Sequence, residues 1–257
     1  VPVDDDYLKR LCDTFVTTSH LALEAGFDGI DIKACHGYLV HELLFARERN
    51  GRYGGRLQNR ARFLTETAER ITADIPDLLT AVRLNVFDSL PLPLGFGSVD
   101  KDPQSTRLEE PLRLTGMLRE KGCALLNITG GIPYTAPHLV RPSDRPLKGI
   151  DPPHEHPLTG VCRLIRACSV IQKKYPDLPC VSSGWSWLRH CIPYAGAGVV
   201  ADKNAAFIGL GRSSFAYPDA PADIMTTGKM DTEKTCVTCS GCTELMRRGG
   251  PAGCIVR

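Results

Sequence analysis

Five short, mostly apolar runs recur along this chain, each followed by a stretch with helical apolar spacing. That alternation restricts the fold more than any other feature. The runs are Phe27–Ile32, Leu78–Val86, Ala124–Thr129, Leu178–Ser182 and Ala205–Leu210. A helix is expected over Tyr7–Glu24, where Leu8, Leu11, Phe15, Leu21 and Leu23 share a face and Gly26 supplies a left-handed cap. Further helices are expected over Leu57–Ile75, Ser105–Lys121, Leu158–Lys174, Trp187–Val200 and Ser214–Thr227. Strands that are apolar throughout belong to parallel sheets covered on both faces. The alternation therefore predicts an α/β fold, either a barrel or a doubly wound sheet. The long Pro/Gly-rich loops, Asp88–Gln104 and Gly130–Pro157, follow strands and never helices. In a (β/α)8 barrel that end is the catalytic face. Five units fall three short of eight, so the chain reads as the last five units of a TIM barrel, with the first three strands missing. A first residue of Val rather than Met suits a piece of a longer protein.

Composition narrows the function classes. A hydrophobic fraction of 42% and a charged fraction of 23% over 257 residues are those of a globular domain with a self-sufficient core. The formal charge is +2, and no basic block offers a nucleic-acid footprint. No apolar run approaches the ~18 residues of a membrane span, and no signal-peptide pattern opens the chain. Of 11 cysteines, those outside the C-terminal cluster fall in apolar patterns. They read as small buried hydrophobes in a reducing, cytoplasmic setting.

Polar chemistry gathers where strands should end. Lys33, His36 and Tyr38 follow the first run at spacings of three and two. On an extended strand end the three would converge on one ligand. Gly209-Leu-Gly211-Arg212 follows the last run, and Ser183-Gly184 follows the one before it. Each is either a structural turn or a place where backbone N–H groups approach a phosphate, with Arg212 adding charge. Two such turns at neighbouring strand ends match the phosphate grip of barrel enzymes. Arg83 interrupts the apolar run LLTAVRLNV. A charge there is either ion-paired or placed against a ligand, as a cation beneath an electron-accepting ring. Arg52, Tyr53 and Arg60 are expected to tie the loop after the first strand to the next helix. His41, His154 and His156 are read as structural or surface groups. Cys236, Cys239 and Cys242, with Cys254 after eleven intervening residues, form a set suited to zinc or to an iron–sulfur cluster. The chain thus divides into a barrel portion, 1–230, and a cysteine-rich segment, 231–257.

AGFDGIDIKACHGYLVHELL, then N-x-R-Y-G-G-R-L-x-N-R-x-R-F, then VRLN, NITGG and GLGR in order, resembles the old yellow enzyme family of FMN-dependent oxidoreductases. The resemblance covers about residues 5–230. It implies an FMN site and electron supply from NADH or NADPH. Lys33 and His36 stand where that family places donors to a substrate carbonyl or anion, and Tyr38 where its proton donor sits. Many ene-reductases carry His where this chain has Lys33. Arg83 matches the arginine at the flavin N1/O2 edge. Gly184, Gly211 and Arg212 match the phosphate binders, with Ser183 and Gly209 in the same turns. Tyr134 and His138, in the loop after NITGG, would face the substrate in the dienoyl-CoA reductase branch. The branch that resembles trimethylamine dehydrogenase and 2,4-dienoyl-CoA reductase carries a [4Fe–4S] cluster after its barrel, which favours the cluster over zinc for the four cysteines. In that branch a nucleotide-binding redox module follows, and homo-oligomers are compatible with it. The expected activity is hydride transfer to an activated C=C bond of a small molecule, with protonation by Tyr38. An amine dehydrogenase and a non-catalytic barrel remnant that binds a phosphorylated ligand are the rivals. Lys33 argues against a cationic amine.

Overall fold

The computed structural model describes residues 3–99, 102–145, 149–151 and 154–257. The chain opens with α1 (Asp5–Glu24), capped by Asp4, whose carboxylate accepts from the Tyr7 N–H at 2.6 Å. Asp5 and Asp6 add negative charge to the first turn, where the helix dipole favours it. β1 (Gly29–Ala34) follows, then the short helices α2 (Leu39–Leu44) and α3 (Leu57–Arg60), α4 (Arg62–Asp74) and β2 (Leu79–Asn85). A hairpin of β3 (Ser98–Val99) and β4 (Asp102–Thr106) precedes α5 (Glu109–Glu120), β5 (Leu125–Thr129) and α6 (Pro137–Val140). Next come α7 (Pro157–Lys174), β6 (Cys180–Ser182), a 3-10 helix Trp185–Cys191, α8 (Ile192–Ala201) and β7 (Phe207–Ile208). The chain ends with α9 (Ser213–Ala216), α10 (Ala220–Thr227) and α11 (Gly241–Arg247). No helix among the described residues is long and apolar enough to cross a membrane.

β1, β2, β5, β6 and β7 form one parallel sheet in sequential order. A doubly wound sheet reverses its order at a switch point and buries both faces; this one does neither. Ile32, Ala34, Val82, Leu84, Leu126, Ile128 and Cys180 alternate onto one face, fully packed beneath Leu64, Ile71, Leu114, Leu118, Leu164 and Ile171 of the helices. The opposite face carries a polar row. Lys33 pairs in register with Arg83, Arg83 with Asn127, and Asn127 with Val181. The expectation of a sheet covered on both faces therefore gives way to a singly wound sheet, the arrangement of barrel walls.

Several boundaries differ from the sequence reading, each for a local reason. Phe27 lies outside β1 and is 63% exposed. The stretch Asp88–Gln104 is not all loop, because Asp88 gathers it. Its carboxylate accepts from the Leu90 and Phe96 N–H groups and the Ser98 hydroxyl, which sets up the β3–β4 hairpin. The helix expected over Trp187–Val200 is broken at Arg189, whose φ of 52° is left-handed. The one expected over Ser214–Thr227 is interrupted at Tyr217–Asp219, where Pro218 cannot continue α9. Arg60 does tie the loop after β1 to its surroundings: it is buried, donates to Gly55 O and Leu44 O, and pairs with Glu110. A second apolar cluster, Trp185, Ile192, Tyr217, Ala220 and Met230, seats the last helices against the end of the sheet.

Candidate active site

A cavity of about 700 Å³ opens at the end of the sheet where its strands finish. That volume is in the range of small-molecule and cofactor sites. Its wall includes His36 and Tyr38 after β1, Arg83 of β2, Asn127 of β5, Tyr134, Ser183, Gly184, Gly209, Gly211 and Arg212. Sequence-selected residues from five strand ends thus meet in one place.

His36 and Gly37 both adopt left-handed backbone, with φ of 64° and 75°. The chain turns sharply there instead of continuing extended, so Lys33, His36 and Tyr38 do not converge as spacing along a strand implied. Lys33 stays on the polar face of β1, with Nζ 3.2 Å from the Tyr38 ring centroid, and does not line the cavity. His36 is 8% exposed, and its Nε2 lies 3.2 Å from the Thr129 hydroxyl. Burial, and then the charges of Arg83, Lys33 and Arg212, push its imidazole down to about 3. It is a neutral hydrogen-bonding group at physiological pH. Tyr38 is 45% exposed, and its hydroxyl lies 2.6 Å from that of Tyr134. The shared hydrogen bond raises the Tyr134 phenol. His138 turns away from the cavity: its electrostatic neighbours are Glu155, Arg163 and His154, and burial lowers its imidazole. Arg141, one helical turn further along, points into the cavity in its place.

Arg83 has no carboxylate within ion-pair distance among the described residues, and its Nε is buried without a partner. The neighbouring Asn127 Oδ1 is buried and unpartnered as well. Arg83 thus has no ion pair among the described residues and stands in the wall of the cavity. Burial raises the Asp31 carboxyl, against the pull of Arg83 and of the Asn127 side chain.

At the far end, Gly184 takes a left-handed φ of 90°, and Gly211 leaves open space where a Cβ would stand. Gly209 uses its N–H on Ser182 O at 2.8 Å, and Ser183 its hydroxyl on Ile128 O at 2.7 Å, so these two shape the cradle rather than present donors. Arg212 and Arg141 both line the cavity and also the small cavity formed by the cysteine segment. Arg212 donates to the Thr243 hydroxyl. Burial and the nearby Arg141 push its guanidinium down. Arg141 is 6% exposed, donates to the Ser240 hydroxyl, and leaves its buried Nη1 without a partner. A buried guanidinium, Arg141, beside a half-buried one, Arg212, is costly without a carboxylate unless an anion joins them. The sequence reading missed Arg141, Asn127 and Thr129. The signal was available for Asn127, which interrupts the apolar run ALLNIT as Arg83 interrupts its own.

Cys236, Cys239, Cys242 and Cys254 line that small cavity together and form no disulfide. Backbone N–H groups of Thr238 and Val256 lie 3.4 Å from the sulfurs of Cys236 and Cys254. Left-handed backbone at Thr238 and Ser240 curls the segment around the site. Among the described residues no three His, Cys, Asp or Glu side chains converge on a single ion position. Zinc would require four sulfurs about 3.8 Å apart, from Zn–S bonds of about 2.3 Å in a tetrahedron. Four cysteine thiols lining one cavity are a donor set suited in chemistry to zinc or to an iron–sulfur cluster.

Burial has a measurable consequence at the β1 turn. His41, on α2, is fully buried and its imidazole is held down at about 3, as is His36. Both stay neutral in the fold, whereas in the unfolded chain they take up protons below pH ~6.5. Stability is therefore lost as pH falls through 6.5, by about 2 kcal/mol per imidazole at pH 5. Asp88 works the other way: burial raises its carboxyl to about 6. It binds a proton in the fold first and returns about 1 kcal/mol over the same interval. The expected net loss between pH 7 and pH 5 is about 2–3 kcal/mol in ligand-free protein. Urea unfolding at the two pH values checks it, and equal midpoints would show that these imidazoles titrate freely.

Residues 3–101 match the sequence profile of the NADH:flavin oxidoreductase / NADH oxidase family. The NADH-dependent flavin oxidoreductase iliE of Hypocrea jecorina is 26% identical over 221 residues, covering 85% of this chain and 49% of that protein. The 12-oxophytodienoate reductase 1 of Oryza sativa subsp. japonica is 35% identical over 99 residues, covering 35% of this chain and 26% of that protein. Among solved structures, a 2-naphthoyl-CoA reductase complexed with 2-naphthoyl-CoA superposes with a TM-score of 0.75 at 19% identity, over 100% of this chain and 35% of the other. That likeness shows the fold as a portion of a larger α/β architecture, and this chain spans about half or less of the relatives it matches. Residues 3–101 thus carry the sequence pattern of the NADH:flavin oxidoreductase / NADH oxidase family, in agreement with the resemblance to the old yellow enzymes.

Proposed function

We propose that this chain carries the reducing site of an FMN-dependent oxidoreductase that acts on an electron-poor C=C bond with electrons from NADH or NADPH. One observation carries the reading. A single cavity has an unpartnered Arg83 Nε in one part of its wall and, in another, a glycine cradle with the guanidiniums of buried Arg141 and half-buried Arg212. That pairing suits a flat ring that accepts negative charge and ends in a phosphate. The names of the fungal and rice relatives, a flavin oxidoreductase and a reductase of an oxo-dienoate, support the same reading. In this reading the five strands are the last five of an eight-stranded barrel.

Bound FMN would supply the hydride. The residues of this chain supply orientation and the proton. Arg83 and Asn127 would present a donor and an acceptor to the ring, while Arg141, Arg212, Gly184 and Gly211, which line the same cavity, would hold the phosphate. Neutral His36, fixed by Thr129, donates one hydrogen bond to the activating oxygen of the substrate and stabilises charge that develops there. Lys33 contributes by holding the Tyr38 ring through its cation–π contact. Tyr38 delivers the proton from its hydroxyl, and the exposed Tyr134 hydroxyl, 2.6 Å away, can return one from solvent.

The test is FMN retention followed by anaerobic bleaching with NADH and reoxidation by a simple enone such as 2-cyclohexenone. The parent chain is expected to do all three. Arg141→Ala is expected to weaken FMN binding about 10- to 100-fold, the range for a lost charge-assisted hydrogen bond. Failure of the parent to hold FMN would refute the reading. Unchanged affinity in Arg141→Ala would remove that residue from the phosphate cradle.

A further inference from the structure

The turn that carries His36 and Tyr38 is strained, and little within it explains its shape. Two successive left-handed residues, one of them not glycine, cost roughly 1 kcal/mol or more unless the surroundings hold them. The Tyr38 N–H to Cys35 O bond inside the turn is long, at 3.4 Å. The stronger restraint comes from His41, which the flavin chemistry does not use. The Gly37 N–H donates to His41 Nδ1 at 3.0 Å. His41 is wholly buried on α2, its ring edge-on to Phe45 at 5.4 Å. Because Nδ1 accepts, the ring proton resides on Nε2. That nitrogen has no hydrogen-bond partner and lies 3.7 Å from Asp88 Oδ2, itself fully buried. Asp88 is immobilised by the Leu90 and Phe96 N–H groups and the Ser98 hydroxyl, at 3.0, 2.7 and 2.7 Å.

One imidazole thus links the loop after β1 to the loop after β2. We propose that His41 is a positioning residue: through Nδ1 it holds the Gly37 amide in the left-handed turn that aims His36 and Tyr38 into the cavity, and Asp88 selects the tautomer that lets it do so. The arrangement is that of a carboxylate orienting an imidazole, but the imidazole's object is a backbone amide rather than a nucleophile. Losing the Nδ1 acceptor would let the turn relax toward ordinary backbone and carry both side chains off target. Misplacement of that kind affects the chemical step more than binding.

Two measurements test this, and only the second rests on the proposed function. In uniformly 15N-labelled, ligand-free protein, a through-hydrogen-bond 15N–15N coupling is expected between the Gly37 amide and His41 Nδ1, with Nε2 carrying the proton. No coupling, or a proton on Nδ1, overturns the proposal whatever the enzyme does. In FMN-loaded protein, His41→Asn keeps an acceptor where Nδ1 stood, whereas His41→Gln places its amide where Nε2 stood, near Asp88. His41→Asn is expected to stay close to the parent rate. His41→Gln is expected to lose about 10- to 100-fold in kcat for enone reduction, with the enone KM, FMN affinity and flavin reduction by NADH retained. A merely structural histidine would rank the two variants by thermal stability and move kcat and KM together, and that outcome also overturns the proposal. If the parent holds FMN but NADH does not bleach it, the functional reading fails while the coupling still decides the role of His41.

Discussion

Replacing Tyr38 by Phe is expected to slow enone reduction by about 10²- to 10⁴-fold, the usual contribution of a positioned general acid. Flavin reduction by NADH is expected to remain near the parent rate, because that half-reaction calls for no proton from Tyr38. The substitution removes one oxygen and leaves the ring. The Lys33 cation–π contact and the packing of the turn therefore persist, and a fall in turnover reports lost proton delivery rather than a disturbed fold. The hydroxyl removed is the one 2.6 Å from the Tyr134 hydroxyl. Tyr134→Phe breaks the same hydrogen bond from its other end and is expected to cost less, since water can reach a phenol that is 45% exposed. Stopped-flow measurement of the two half-reactions separates these outcomes. An unchanged oxidative half-reaction in Tyr38→Phe would take that residue out of the mechanism.

The parts of this protein that were legible in the sequence are those that local pattern controls. Short, mostly apolar runs located all five sheet strands because each packs one face under helices, and VRLN and ALLNIT located the polar row because a charge or amide inside an apolar run demands a partner. What escaped depends on contacts between distant residues. The β3–β4 hairpin follows from the hold of Asp88 on residues eight and ten positions away, which no propensity encodes. The placement of Lys33 follows from the left-handed backbone at His36; spacing alone implied an extended chain, and no glycine at that position gave warning. His138 was chosen for its chemistry, but α6 presents it to α7 and gives the cavity Arg141 instead. His41, read as structural, is indeed buried, yet its bond to Gly37 N–H bears on the site. Helix α11 has only seven residues, too few for a helical apolar period to show in the sequence. Its Thr243, Met246 and Arg247 close one wall of the cavity.

The second large effect concerns that segment. After anaerobic preparation with iron and sulfide, the chain is expected to bind about four of each per molecule, the content of one [4Fe–4S] cluster. Cys→Ala replacement at position 236, 239, 242 or 254 is expected to remove most of both. The expectation rests on all four thiols lining one cavity, on N–H groups directed at two of the sulfurs, and on Arg141 and Arg212 at the same wall. Four thiolates on a cluster would repel one another, and the two guanidiniums at the same wall would offset part of that charge. The same two guanidiniums face the cofactor cavity. Loss of the cluster should therefore reach the phosphate end: the Arg141–Ser240 and Arg212–Thr243 hydrogen bonds run into the cysteine loop, which without metal has only its own turns to hold it. Weaker FMN binding in the cysteine variants is the expected sign of that link. Metal analysis that returned one zinc and no sulfide would instead require the four sulfurs to close around a single ion. Retention of full iron and sulfide in Cys254→Ala would show that the remote cysteine is no ligand.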